Sequence, residues 1–146
     1  MSQFARGSSS IYRLEAHVCF KAKCAHDVFD YIEFKRRCSE IFYAVAEKYK
    51  FSITEMGFDR NHVHLTVFYS IIHSVEAIAK WLKGTSGKRL LEEFPQIKKK
   101  YFYGSGLWSP MIYCDSMGRE PEELYHYVRN QGVKPKDQKS LKQFVN

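Results

Sequence analysis

Residues 62–69 read His-Val-His-Leu-Thr-Val-Phe-Tyr, and the alternation in that run limits what the chain can become. Side chains along a strand point to opposite faces in turn. His62 and His64 therefore share one face, while Val63, Leu65 and Val67 share the other, which is apolar enough to be a core face. Same-face residues two apart stand roughly 7 Å apart at Cβ. Two imidazoles can converge on one metal ion across such a gap, although two ordinary polar residues on an exposed strand face fit the same pattern.

The rest of the chain supplies partners for that strand. In residues 11–23, Leu14, Ala16, Val18 and Phe20 alternate with Arg13, Glu15, His17 and Cys19, again with period two. Phe34, Cys38, Ile41, Phe42, Val45 and Tyr49 recur at steps of three and four, which predicts a helix over 34–50. A strand over 51–58 follows, with Gly57 and Asp59-Arg60-Asn61 read as a turn. Ser74 is placed to cap a helix carrying Val75, Ile78, Ala79 and Leu82, with a break expected near Gly84 or Gly87 before Phe94-Pro95. A fourth strand is expected over 108–114, with Met117-Gly118 turning out of it. Pro121 suits the first turn of a last helix that stops at Gly132. The order β-α-β-β-α-β-α matches an α+β, ferredoxin-like (split βαβ) plan: an antiparallel sheet with helices on one face, plus a C-terminal helix. The expected organisation is a flexible leader over 1–10, containing Gly7 and three serines, one domain over 11–131, and a basic tail over 132–146.

A chain of 146 residues with eleven Phe, ten Tyr and two Trp can bury a core without disulfide staples. Its four cysteines, Cys19, Cys24, Cys38 and Cys114, match no usual zinc spacing and are too sparse for a secreted disulfide scaffold. Reduced thiols and a cytoplasmic setting are the expectation, with no membrane-spanning stretch and no signal-peptide core. The excess of 23 Lys+Arg over 16 Asp+Glu, a formal net charge of +7, points to a polyanion such as nucleic acid.

The helix over residues 121–131 offers a second chemical group. Tyr127 and Gln131 are four apart and so share a helical face, about 5–6 Å apart at Cβ. A helical Tyr is more often structural, so the pair alone decides nothing. Two hydrolase classes use part of the His motif. Histidine-triad nucleotide hydrolases need a third His where this chain has Thr66. Metal-independent two-histidine phosphodiesterases use H-x-T twice. His64-Leu65-Thr66 is one copy, and neither His26, His73 nor His126 begins another. A non-catalytic nucleic-acid-binding module of the same fold is the remaining alternative, although the aromatic-rich strand of an RNA-recognition motif is absent.

Taken in order, H-V-H on a strand, Trp81-Leu82-Lys83-Gly84-Thr85-Ser86, Leu107-Trp108-Ser109 and Tyr127-Val128-x-x-Gln131 closely resemble the TnpA-type single-tyrosine HUH transposases of bacterial and archaeal insertion sequences. The resemblance covers residues 11–131, and only the first strand departs from the family's aromatic-basic pattern. It implies that His62, His64 and Gln131 bind a divalent metal, Mg²⁺ or Mn²⁺, and that Tyr127 is the nucleophile. It further implies cleavage and rejoining of single-stranded DNA at insertion-sequence ends through a 5′-phosphotyrosine, recognition of DNA hairpins, and a homodimer with shared active sites. Such chemistry suits these residues. Neutral imidazole and amide ligands leave the ion its full charge and open positions for phosphate oxygens. Tyrosine attack conserves the phosphodiester bond's free energy for a later strand joining. Lys83, Lys88, Arg89, Lys98, Lys99, Lys100 and Arg129 are then candidates for phosphate contacts, and Tyr101, Phe102 and Tyr103 for stacking on unpaired bases.

Overall fold

The computed structural model describes residues 5–7, 9 and 11–116. Strands β1 (Ala5–Arg6) and β2 (Ile11–Tyr12) form a small antiparallel pair. The main sheet follows: β3 (Leu14–Lys21), β4 (Ser52–Phe58), β5 (His62–Tyr69) and β6 (Tyr113–Ser116), in the spatial order β4-β5-β3-β6 with every pairing antiparallel. Helices α1 (Ile32–Tyr49), α2 (Val75–Glu93) and α3 (Pro95–Tyr101) complete the described elements, with two 3₁₀ turns, Lys23–Ala25 and Val28–Asp30, ahead of α1. This is the expected split βαβ plan. No described helix is long and apolar enough to cross a membrane.

The core lies between the sheet and α1 and α2. Ala16, Val18 and Phe20 of β3 and Val63, Leu65 and Val67 of β5 are buried toward Phe34, Cys38, Ile41 and Phe42 of α1 and Ile78, Ala79, Leu82 and Leu90 of α2. Every one of these positions lies on a stripe of period two or three to four. The other sheet face carries no described helix. That leaves Glu15, His17, Cys19 and Lys21 of β3 level with Phe68, Thr66, His64 and His62 of β5. All four cysteines are free.

Three local expectations are corrected. Helix α2 runs through both glycines without a break. Gly84 faces open space, and Gly87 faces Trp108, whose Cδ1 would be 3.5 Å from an added Cβ. Both glycines keep helical hydrogen bonding because packing outweighs their propensity cost of about 1 kcal/mol each. The last sheet strand starts at Tyr113 rather than at Trp108. Trp108 makes only an isolated bridge to Ala22, and Pro110, which has no N–H to donate, interrupts the pairing before β6. Gly57 lies inside β4, paired with His64, and the reversal is made by Asp59-Arg60-Asn61, closed by the Asp59 N–H donating to the His62 carbonyl at 2.8 Å. The expected turn at Met117-Gly118 and the last helix lie outside the described residues.

Candidate functional site

Strand β5 is central, and its pairing on both sides fixes where its histidines point. His64 is level with Cys19 of β3 on one side and Gly57 of β4 on the other. His62 and His64 emerge half-buried on the open face, ring centroids 5.9 Å apart. His17 adds a third imidazole, 5.8 Å from His64 and edge-on to it. These rings, with Cys19, Lys21, Tyr113 and Asp115, line a concavity of about 520 Å³. Partial burial pushes the Cys19 thiol up, an effect that nearby Lys21 opposes, so this thiol stays protonated and weakly reactive.

Neighbours hold His62 in place. Its Nδ1 lies 3.0 Å from Asn61 Oδ1, and its Nε2 lies 3.4 Å from Asp59 Oδ2. One neighbour at each ring nitrogen fixes the orientation of the His62 imidazole, as partners beyond the ligands do for metal-binding histidines. Asn61 is itself tied down: its carbonyl accepts from the Ala22 N–H at 2.8 Å. Thr66 offers nothing to a phosphate. It is buried, and its hydroxyl donates to Glu55 Oε1 at 3.2 Å. Among the described residues no group of three His, Cys, Asp or Glu side chains is placed to hold a metal. The described donor set is thus two imidazoles on one open face. It fits a divalent ion as two of its ligands, with further ones to come from elsewhere.

The other candidates fall in three places. Tyr127, Arg129 and Gln131 lie outside the described residues. Lys83, Lys88 and Lys98 line one groove of about 450 Å³ between α2 and the loop through Trp108. Within it Lys83 is engaged internally, donating to the Ser109 carbonyl at 2.7 Å and the Met111 carbonyl at 3.4 Å. Burial holds its ammonium below the usual lysine range. Arg89 lies 3.9 Å from Glu93 one helical turn on. Lys98, Lys99 and Lys100 project from the last turn of α3, Lys100 over the Tyr101 ring at 5.1 Å. The Tyr101 and Tyr31 hydroxyls are 2.9 Å apart. Their hydrogen bond lowers the Tyr101 phenol, helped by Lys100, and raises that of Tyr31. Phe102 is a correction: it is fully buried against His26, so no base can stack on it. Tyr103 is 85% exposed and remains available.

Sequence reasoning passed over Asn61 as an orienting residue and His17 as a neighbour of the pair. In the sequence Asn61 carries only a turn signal, and the proximity of His17 depends on strand order, which adjacency in sequence does not reveal. The motif blocks 81–86 and 107–109 meet in space, where Trp108 Nε1 donates to the fully buried Ser86 hydroxyl at 2.9 Å. Their part is to pack α2 against the approach to β6.

A family model described as "Transposase IS200 like" matches residues 10–131. The ISDra2 transposase TnpA of Deinococcus radiodurans is 29% identical over 112 residues, covering 77% of this chain and 78% of that protein. The transposase of insertion sequence element IS200 from Salmonella typhimurium is 27% identical over 115 residues, 79% of this chain and 74% of that one. Among solved structures, a Deinococcus radiodurans protein described as a transposase superposes with a TM-score of 0.72 at 24% identity, covering 89% of this chain and 99% of its own. A REP-associated tyrosine transposase bound to a REP hairpin gives 0.53 at 12% identity, covering 88% and 68%. At those identities the two structures speak for the fold.

Proposed function

From the premise that this chain belongs to the IS200-like transposases, we propose that it cleaves and rejoins single-stranded DNA at insertion-sequence ends through a 5′-phosphotyrosine on Tyr127. The observation that carries the reading is the placement of His62 and His64 side by side on the open face of a central strand, above a concavity of about 520 Å³.

In this reading His62, His64 and Gln131 hold Mg²⁺ or Mn²⁺, which supplies positive charge to the scissile phosphate when bound. The chain's own groups do the rest. Asn61 holds the His62 ring through Nδ1, with Nε2 on the side of Asp59. Asp59, 3.4 Å from that nitrogen, adds negative potential where a cation sits. Tyr127 is the proposed nucleophile, a phenol that ordinarily titrates near pH 10 and that a metal cation beside it would activate. Its oxygen attacks phosphorus, the P–O3′ bond breaks, the 3′-oxygen leaves and takes a proton, and the DNA 5′-phosphate stays on the tyrosine. Attack by another strand's 3′-OH reverses these events without an external energy source.

The substrate follows from charge and shape. One structural relative is bound to a hairpin, and this chain carries +7 formal charges. Lys88, Lys98 and Lys99, with Lys100, Arg89 and Arg129, are proposed to meet phosphates, and Tyr101 and Tyr103 to meet unpaired bases, while Lys83, held by the Ser109 and Met111 carbonyls, is withdrawn from that set. A homodimer with shared sites completes the proposal. The deciding experiment incubates the protein with Mn²⁺ and end-labelled single-stranded hairpin DNA, then resolves products on denaturing gels. A protein–DNA adduct that disappears with chelator is the expected result. Cleavage that persists in excess chelator, with no adduct, would instead mark a metal-independent phosphodiesterase.

A further inference from the structure

Gly57 is a glycine in the middle of a strand, where glycine is unfavourable because it has no side chain to pack and loses the most backbone entropy. Its backbone does not call for glycine, since its φ lies outside the left-handed region. Space does. A Cβ built at position 57 would lie 2.5 Å from His64 Cε1, 3.1 Å from Nε2 and 3.2 Å from Nδ1. The imidazole of His64 therefore lies across the neighbouring strand and rests on the Gly57 backbone, the way an aromatic ring covers a cross-strand glycine at a sheet edge. β4 is that edge strand.

We propose that Gly57 is a positioning residue that sets the height and tilt of the His64 ring for metal binding. Any other amino acid brings a Cβ. Ordinary contact begins at 3.4 Å, so the ring must yield by about 1 Å. Strand β4 cannot yield instead. Its neighbours Met56 and Phe58 pair with the buried Leu65 and Val63, and Phe58 packs on Phe29 at 4.9 Å. Sideways movement is limited by His17 on one side and His62 on the other, each about 6 Å from the His64 ring centre. The ring is left to lift or turn. Metal–ligand distances tolerate about 0.2 Å, so a displacement of about 1 Å takes His64 out of a shared coordination sphere.

The inference rests on the metal-site reading above, and its test separates the two. Mn²⁺ affinity is measured without DNA, by the loss of the free-ion EPR signal, for the full chain and for Gly57→Ala and His64→Ala. Gly57→Ala is expected to weaken binding about tenfold to a hundredfold, as loss of a ligand-orienting neighbour typically does. Wild-type affinity in Gly57→Ala, with affinity lost in His64→Ala, overturns the positioning role alone. Wild-type affinity in His64→Ala overturns the metal site, and Gly57's role in it as well.

Thermal melts of a double-mutant cycle, run without metal, give an independent readout. Gly57→Ala should lower Tm in the wild-type background and leave it equal or higher in the His64→Ala background, where the added methyl has room. If Gly57→Ala folds only when His64 is also replaced, the proposal stands. An equal loss of Tm in both backgrounds, or failure of both proteins to fold, shows that the glycine accommodates something other than the ring and overturns the proposal.

Discussion

Tyr127 is the side chain on which the proposed chemistry turns, and Tyr113, the described tyrosine that lines the concavity of His62 and His64, is the hydroxyl from which it must be distinguished. Cys19 is a thiol lining the same concavity, and partial burial raises it, so it stays protonated. Replacing Tyr127 by Phe should abolish cleavage and the covalent adduct while hairpin affinity stays within about twofold of the parent, since the lost hydroxyl is one weak contact among many. An adduct in that variant would move the nucleophile to another tyrosine, Tyr125 first. Asn61→Ala should weaken Mn²⁺ binding by about tenfold or more by freeing the His62 ring, and calorimetric titration reads this directly. The His pair was legible because a period of two puts His62 and His64 on one face whatever the sheet does. The Asn61 hydrogen bond and the glycine floor beneath His64 were not, since one depends on rotamers and the other on cross-strand register.

At the scale of elements, the helices are held by packing more than by local preference. α2 keeps Gly84 and Gly87 in its interior and anchors Trp108 through Ser86. Ser86→Ala leaves the indole N–H buried without its acceptor, and chemical denaturation should register a loss of about 1–3 kcal/mol. Helix α1 ends at Lys50, whose φ of 64° is left-handed and costs a side-chain-bearing residue about 1 kcal/mol. Lys50→Gly should recover most of that, and an unchanged or lower midpoint would disprove the strain. Periodicity gave β5 to both its ends and gave α1 over 34–50, where the helix runs Ile32–Tyr49. It did not give the start of β6. Trp108 looked like strand sequence, but its ring packs on Phe20, Phe29 and Phe42, while Pro110 withholds a backbone donor.

For the whole molecule, charge and symmetry set the expectations. If the basic groups meet phosphates, hairpin affinity falls with salt, each contact adding about 0.7 to the logarithmic slope for single strands. A flat salt dependence would mean the +7 charge has no part in binding. A shared-site dimer has a sharper consequence. Tyr127→Phe and His64→Ala proteins, each inactive alone, should recover activity when re-equilibrated together, because one site of the heterodimer is intact. Verified heterodimers that remain inactive would show that each chain builds its own site.

By itself the sequence determined the order of the four main-sheet strands and of α1 and α2, their apolar faces and the motif His62-Val63-His64, because these follow from spacings of two and of three to four along the chain, whereas α3 and the β1–β2 pair left no such pattern. Tertiary structure decided which elements lie beside which. It brought Gly57, His17 and Cys19 to the flanks of His64, gathered Lys83, Lys88 and Lys98 into one groove while turning Lys83 inward, and withdrew Phe102 into the core. The physical reason is common to all of these: each depends on contacts between residues distant in the chain, and such contacts are fixed by strand order, register and close packing, none of which leaves a local pattern to read.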